Sequence, residues 1–354
     1  FSWNLFEIWF LFFGIFLFYS PLFAQEIQTD SLSENSIEQQ LEQIETDEAD
    51  SPILEDVTKK KNIDENFHTE IRSRVGEELQ SREAYSDGTY LGSRLKSYHR
   101  FKISQQNFFG GMLLEKDAGE QKANDFTTGF LQTKNIFKTV SILVGDYIVE
   151  SGEGLSLWRG FDVAKGAEVL LPARKNARGI VPHITSDEVN FFRGVATTVT
   201  ISQFDISIFY SKRKRDARID STTSIATLYD AGYFRSANEI DKRNTLSENI
   251  IGTISTYHFS ENFLLGGSFY QIKFGNALLT QQTLLEKQKP FSSASISFDG
   301  KFSKAKFFGE IAHERNNSAS IFGTEISASR NFSFVVVWRK YDENFLSLHG
   351  LGFG

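Results

Sequence analysis

The stretch Ser293 to Glu314, SASISFDGKFSKAKFFGEIAHE, decides how the rest of the chain is read. On its first limb Ala294, Ile296 and Phe298 alternate with Ser293, Ser295, Ser297, Asp299 and Lys301. A period of two puts the first set on one face of a strand and the second on the other. On the second limb Ala305, Phe307, Gly309 and Ile311 alternate with Lys304, Lys306, Phe308, Glu310 and Glu314, and only a few residues join the limbs into a hairpin. Each limb is about ten residues long, the length with which a tilted strand crosses a bilayer. An apolar and a polar face over that length are expected of a transmembrane β-barrel strand, with lipid outside and water inside. A soluble sheet with one wet face shows the same alternation, so the rest of the chain has to choose between them.

Working outward, period-two segments recur at 67–76, 94–103, 107–115, 126–134, 138–149, 191–201, 203–212, 249–260, 262–274, 291–301, 304–314, 319–330 and 331–341. The gaps alternate in length. Short ones fall at Ser104–Gln106, Asn135–Phe137, Ser202, Glu261, Phe302–Ser303 and Arg330–Asn331. Long ones fall at Glu77–Ser93, Lys116–Asp125, Glu150–Asn190, Lys214–Glu248 and Gly275–Pro290, and Arg315–Ser318 breaks the pattern. Short turns on one side and long loops on the other describe an outer-membrane barrel. The fold expected is therefore all-β, a transmembrane antiparallel outer-membrane β-barrel with about 13 strands visible. Since bacterial single-chain barrels have even strand numbers, the odd count implies a C-terminally truncated barrel. Two registers are expected from the alternation. On 263–274, Leu264, Tyr270, Ile272 and Phe274 face lipid while Gln271 and Lys273 face the lumen; on 331–341, Phe332, Phe334 and Trp338 face lipid. An arginine at Ile296 is then expected to harm assembly far more than one at Ser297.

Composition agrees with strands. Phenylalanine supplies 35 of 354 residues, methionine one, and the five prolines avoid the predicted strands. Aromatics suit a pleated surface, and proline cannot donate to the ladder. There is no cysteine, which excludes disulfides, thiolate metal sites, a cysteine nucleophile and a lipoprotein anchor.

The domain plan has three parts: a signal peptide over 1–24, an acidic segment over 25–66 and the barrel over 67–354. Ile8 to Tyr19 is an apolar run followed by Ser20-Pro21 and a cleavage position after Ala24, as in a secretory signal. From Gln25 to Thr58 the chain carries eleven Asp and Glu and no Lys or Arg, so the net charge of −7 hides a basic remainder. Such a like-charge block reads as a solvated, disordered or partly helical periplasmic tether, or as a docking segment for a basic periplasmic partner.

TYLGSRLKSYHRFKI (Thr89–Ile103), LLEKDAGE (Leu113–Glu120), DFTTGFL (Asp125–Leu131), LVGDYIVESGEGLSLWRG (Leu143–Gly160), IVPHITSDEVNFFRGVA (Ile180–Ala196) and FYSKRKRDARID (Phe209–Asp220) carry a resemblance. Across about 85–354 the chain resembles the barrel portion of large Bacteroidota outer-membrane proteins catalogued as helix-hairpin-helix proteins. The resemblance implies a surface barrel and supplies no catalytic residues. A helix-hairpin-helix needs glycines where backbone amides approach a DNA phosphate, and no glycine lies between Gly14 and Gly76. The DNA-binding module is absent from the pattern, and nucleic acid is not expected as a partner.

Two groups of residues stand out as candidate sites. Lys212, Arg213, Lys214, Arg215 and Arg218 form the densest basic run, where a strand emerges into an outer loop; it reads either as an anion site for lipopolysaccharide phosphate or another polyanion, or as a solvated rim. In the longest loop, Trp158, Arg159, Arg174, Lys175, Arg178 and His183 are candidates for a segment folded inward to constrict a pore. Alternatively that loop is exposed, and Trp158 marks the membrane interface. The six histidines show neither HExxH nor HxH spacing, so no metal or other cofactor is expected. A barrel lipase would need a serine meeting a histidine at the bilayer edge, for which His258 and His313 are the candidates. The expected function is non-enzymatic: a channel, transport component or surface structural protein whose partners are outer-membrane lipid, lipopolysaccharide and the barrel-assembly machinery. The alternatives are a polyanion- or DNA-binding surface protein and a soluble secreted β-protein.

Overall fold

The computed structural model describes residues 67–79, 82–158, 173–280, 283–329 and 332–351. The expected signal peptide and acidic segment lie outside the described residues, as does Arg159.

One long antiparallel meander dominates. Its members are β1 (His68–Glu77), β2 (Leu95–Gln105), β3 (Phe108–Lys116), β4 (Phe126–Ile136), β5 (Val140–Glu150), β7 (Phe192–Ile201), β8 (Phe204–Arg215), β11 (Leu246–Ser260), β12 (Phe263–Phe274), β15 (Phe291–Phe302), β16 (Ala305–Glu314), β17 (Asn317–Ser329) and β18 (Phe332–Tyr341). Each is hydrogen-bonded to its neighbours in that order, so the path has the thirteen strands that the alternation predicts, with ends displaced by no more than three residues. Among the described residues β1 and β18 each have one neighbour in the sheet. Five further strands arise inside predicted loops: β6 (Gly179–Pro182), which pairs with the end of β5, and β9 (Ala217–Ile219), β10 (Ile225–Leu228), β13 (Ala277–Thr280) and β14 (Thr283–Leu285), which make a separate four-stranded sheet. Three or four residues are too few to show a period against turn chemistry.

The turns at one end are two residues long where Gln105 pairs with Phe108, Ile201 with Phe204 and Phe302 with Ala305. Gln106, Ser202 and Ser303 there have φ of 46°, 56° and 54°. Positive φ at the first turn position is what lets a two-residue hairpin follow the strand twist. Long connections occupy the other end, with one exception: Glu314 pairs with Asn317, so Arg315 and Asn316 make a tight turn there.

Exposure along the strands is reversed from that of a soluble sheet. On β15, Ala294 and Ile296 are exposed, Ile296 at 67%, while Ser293, Ser295 and Ser297 are buried. On β8, Phe204, Ile206, Ile208 and Tyr210 are exposed and Ser207 and Ser211 are buried. Phe332, Phe334 and Trp338 of β18 lie outward as predicted. The register expected for β12 is overturned. Tyr270, Ile272 and Phe274 are buried, and Phe263, Leu265, Phe269 and Lys273 are exposed. Near the long-loop end the inner face is itself apolar, because Tyr270, Ile272 and Phe274 join a core with Tyr147, Leu157, Phe192, Phe209, Leu246, Ile250 and Leu346. Strand parity is continuous through β12; the chemistry of its two faces changes along it.

Candidate functional site

The inner face is lined by charge and filled from the long-loop end. β15 and β16 place Asp299 and Glu310 on that face, and β17 adds Glu325, paired with Lys306 at 2.9 Å. Glu310 is 1% exposed and receives the first part of the longest loop: its Oε2 accepts the backbone N–H of Glu153 at 2.8 Å and that of Leu155 at 2.9 Å. Ser156 Oγ lies 3.0 Å from Ser293 Oγ. Gly152, at φ +56°, sits so close that a Cβ there would stand 2.8 Å from the Glu310 carboxylate and from Ser297 Cβ. Only glycine fits both that backbone angle and that space.

The chain after β18 completes the filling. Leu157 forms a parallel bridge with His349, the Trp158 N–H donates to the His349 carbonyl at 2.7 Å, and Ser347 Oγ donates to the Leu155 carbonyl at 2.9 Å. Leu155 packs with Ala312, Ala319, Ile321 and Phe345. The Leu346 N–H donates to Glu314.

The loop candidates divide by position. Trp158 is buried, with the Lys175 ammonium 5.0 Å over its ring, so it does not mark an interface. Arg174 donates from Nε to Asp299 Oδ2 at 2.9 Å. Lys175 donates its backbone N–H to Glu153 at 2.9 Å and its ammonium to the Leu351 carbonyl. Arg178 is held by Glu150 through Nε at 2.9 Å and through its backbone N–H at 3.0 Å. His183 lies apart from these: its ring stacks on Phe191 at 4.8 Å, and Nε2 donates to the Asp187 carbonyl at 3.0 Å. Asp299 is eight residues along β15 from its long-loop end, so Arg174 reaches about 26 Å down the strand. The described parts of the loop therefore fold inward.

The basic run is not one patch. Strand alternation turns Arg213 and Arg215 inward, where both face Glu248, Nε of Arg213 at 3.7 Å and Nη1 of Arg215 at 3.4 Å. Arg213 also donates to the carbonyls of Phe191 and Val189, each at 2.6 Å, and Arg215 to Asp230 at 2.9 Å. Lys212 and Lys214 remain exposed on the outer face. Arg218 lies on β9, lining an open hollow with Ile219, Asn238, Asp241 and Lys242. Five cations adjacent in sequence thus occupy three environments.

Sequence reasoning passed over the acids that organise the inner face: Glu150, Glu153, Glu248, Asp299 and Glu310. Asp299 and Glu310 already stand on the polar face of the 293–314 hairpin, but nothing local marks them as partners of the loop. It also passed over Asp146 and Arg193, which pair at 2.6 Å.

Catalytic geometry is thin. Ser73 Oγ lies 2.7 Å from His99 Nδ1, and Ser318 Oγ 3.0 Å from His313 Nδ1, but neither imidazole is recorded against a carboxylate among the described residues. A nucleophilic serine needs a base that a third group orients. His258 has the acid, Asp205 at 2.9 Å, without a serine in the pair. Among the described residues no group of three or more His, Asp or Glu is placed to hold a metal ion, and no helix is long and apolar enough to cross a membrane.

A polar inner face, an apolar outer face and a loop folded to the inside make this the antiparallel sheet of a β-barrel wall. No family profile matches the chain, and no curated protein matches it. Among solved structures it is similar to Salmonella typhi OmpF in complex with daunomycin, at 12% identity and a TM-score of 0.32 over 81% of this chain and 93% of that one. It is also similar to the CymD monoaromatic hydrocarbon channel, at 8% identity and a TM-score of 0.29 over 78% and 83%. A porin triple mutant of Rhodopseudomonas blastica is a third, at 11% and 0.25 over 69% and 85%. These likenesses are weak, and the class rests on the chain's own sheet order and exposure pattern.

Proposed function

We propose that the chain forms the wall of an outer-membrane β-barrel of channel or transport type, without a catalytic role, whose lumen is occupied by its own longest loop. The observation that carries this is the reversal of exposure: Ile208, Ile251, Ile296 and Val336 are more than half exposed, while Arg100, Glu248, Glu310 and Glu314 are almost fully buried. In water each exposed Ile or Phe forgoes about 1.5–3 kcal/mol of burial. In a bilayer the same side chains meet hydrocarbon, and the inner acids and arginines meet one another.

Two further features support the reading. At the short-turn end the exposed rings of Phe204, Phe259 and Phe263 and the half-buried ring of Tyr257 form a contiguous run with centroids 4.4, 4.4 and 5.4 Å apart, as in an interfacial aromatic girdle. From Phe204 to Tyr210 the outer residues of β8 are apolar over about 20 Å of strand, and the basic Lys212 and Lys214 follow toward the long-loop end.

On this reading the long loops face outward from the cell, the barrel-assembly machinery is the folding partner, and the resemblance to Bacteroidota barrels describes a surface protein. The division of the basic run among three environments weighs against a nucleic-acid surface. The test is fractionation. The expressed chain is expected in the outer-membrane fraction, resistant to carbonate and high-salt washing, and to keep its β-sheet signal only in detergent. A monomer stable in aqueous buffer without detergent would overturn the proposal and favour the soluble secreted reading.

A further inference from the structure

The outer face of β8 turns from apolar to basic above Tyr210, and β11 and β12 carry polar residues at the same height. The registers set Tyr210 of β8 opposite Ile251 of β11, and Ile251 opposite Gln271 of β12. One row further toward the long loops, Lys212 stands opposite Asn249, and Asn249 opposite Lys273. Lys214 follows one outward position above, opposite Ser247. Below the Lys212 row the exposed outer residues include Phe204, Ile206, Ile208, Ile251, Leu265 and Phe269, with Thr253, Ser255, Gly267 and Gln271 set among them. At and above it Lys212, Lys214 and Lys273 are exposed, and among the described residues none of the three is recorded in an ion pair. This differs from the inner side of the same strands, where Arg213 and Arg215 are matched by Glu248. Lys289, in the connection before β15, is likewise matched, by Glu286 at 2.7 Å.

We infer that Lys212, Lys214 and Lys273 form a binding surface for the phosphorylated headgroup of an outer-leaflet glycolipid, whose acyl chains lie on the apolar band below. The inference rests on the membrane reading above. Lys212 and Lys273 are two strands apart, about 10 Å, and Lys212 and Lys214 are about 7 Å apart along one strand. That triangle suits a headgroup bearing two phosphates. An ammonium binds phosphate as a mobile point charge with three donors, and Asn249, between two of the lysines, adds an amide donor. Unmatched cations at this height are stabilised when anions lie between them and repel one another when none does. The chemistry is that of a lipid: the sites stand at the edge of an apolar surface, where a free polyanion would leave the neighbouring Tyr210, Ile251 and Phe269 uncovered.

The experiment uses the full chain purified in neutral detergent, with diphosphoryl lipid A, monophosphoryl lipid A and phosphatidylglycerol as separate probes, and co-purification and native mass spectrometry as readouts. The parent is expected to retain diphosphoryl lipid A over phosphatidylglycerol, with retention falling as salt rises. Replacing Lys212, Lys214 and Lys273 together by glutamine is expected to weaken lipid A retention about tenfold or more through loss of three charge-assisted contacts. Lys289→Gln is the control and is expected to bind as the parent does. Equal retention of lipid A and phosphatidylglycerol by the parent would make the lysines general interfacial anchors and overturn the inference, as would undiminished retention by the triple variant. If the parent does not partition into membranes at all, the membrane reading fails and this inference with it; if it partitions without preferring lipid A, only this inference fails.

Discussion

Glu310 on β16 accepts the backbone N–H of Leu155 at 2.9 Å across 155 positions of sequence, and both residues are almost fully buried. The same carboxylate oxygen takes the Glu153 N–H, so one side chain of the wall holds a bend of the inward loop by two bonds. A buried amide left without its acceptor typically costs about 1–3 kcal/mol.

That anchor can be tested without relying on conductance. Because the chain has no cysteine, Ser156→Cys provides a single thiol beside the anchor, buried in the parent and expected to react slowly with a membrane-impermeant maleimide on intact cells. Adding Glu310→Ala leaves two loop amides without their acceptor and is expected to speed labelling about tenfold or more. Unchanged labelling would mean that packing of Leu155 and Leu157 alone holds the loop.

The outer face makes a depth-dependent prediction. Ile296 lies mid-strand on β15, whereas Phe302 is its last residue beside the short turn. Arginine costs about 2–4 kcal/mol at the bilayer midplane and about 0–1 near the interface. Ile296→Arg is therefore expected to lower the yield of folded, heat-modifiable protein strongly, and Phe302→Arg only slightly. Equal tolerance of both would match a sheet facing water. Ser297→Arg, the contrast suggested by the sequence alone, is not benign, since Ser297 is packed against Gly152 and within reach of Gly266.

Glu248 separates the inner from the outer cations of the basic run. Removing one partner of a buried ion pair typically costs about 3–5 kcal/mol, because the other charge is left unmatched. Glu248→Ala is expected to lower the unfolding temperature in detergent markedly through Arg213 and Arg215. Lys212→Gln and Lys214→Gln are expected to leave it nearly unchanged, since exposed substitutions usually shift stability by no more than about 0.5 kcal/mol. A Glu248→Ala variant as stable as its parent would show that the carbonyls of Phe191 and Val189, with Asp230, suffice for these arginines.

The wall was legible because its signal is a repeated one. A period of two sustained over ten residues, thirteen times, with short and long gaps alternating, leaves little freedom for β1 to β18. The filling was not legible. Glu310 reads locally as one more polar-face residue, and its meaning depends on Gly152 and Leu155, which no local period connects to it. The β12 error has a related cause. Tyr270, Ile272 and Phe274 have the composition of a lipid-facing run, and only the inner core around Leu157 and Leu346, brought there by distant segments, makes the inner face apolar at that height. The same limit applies to the basic run, where charge density was visible but the inward or outward direction of each side chain depended on where β8 begins.

The connection between β3 and β4 supplies a pH dependence outside the wall. Glu120 is buried there, with Oε1 accepting the Phe234 N–H at 2.9 Å and Oε2 the Asp117 N–H at 3.1 Å. Burial, with Asp125 and Asp117 close by, pushes its pKa up from 4.5 to about 7, and the two N–H donors hold it from rising further. Glu188 in a neighbouring connection is pushed the same way, while Arg243 pairs with Asp125 at 2.6 Å and Lys96 with Asp117 at 3.0 Å. A carboxyl whose folded pKa lies above its unfolded value binds more protons when docked. Its contribution therefore favours docking below pH 4.5 and weakens as pH rises from 4.5 to about 7. After correction for intrinsic exchange, protection of the Phe234 amide is expected to be higher at about pH 5 than at about pH 8. Glu120→Gln, which fixes a neutral side chain that keeps an acceptor oxygen, is expected to flatten that difference. A Glu120→Gln variant with the parent's full pH dependence would move the effect to Glu188, and protection that rises with pH in the parent would contradict the sign derived for Glu120.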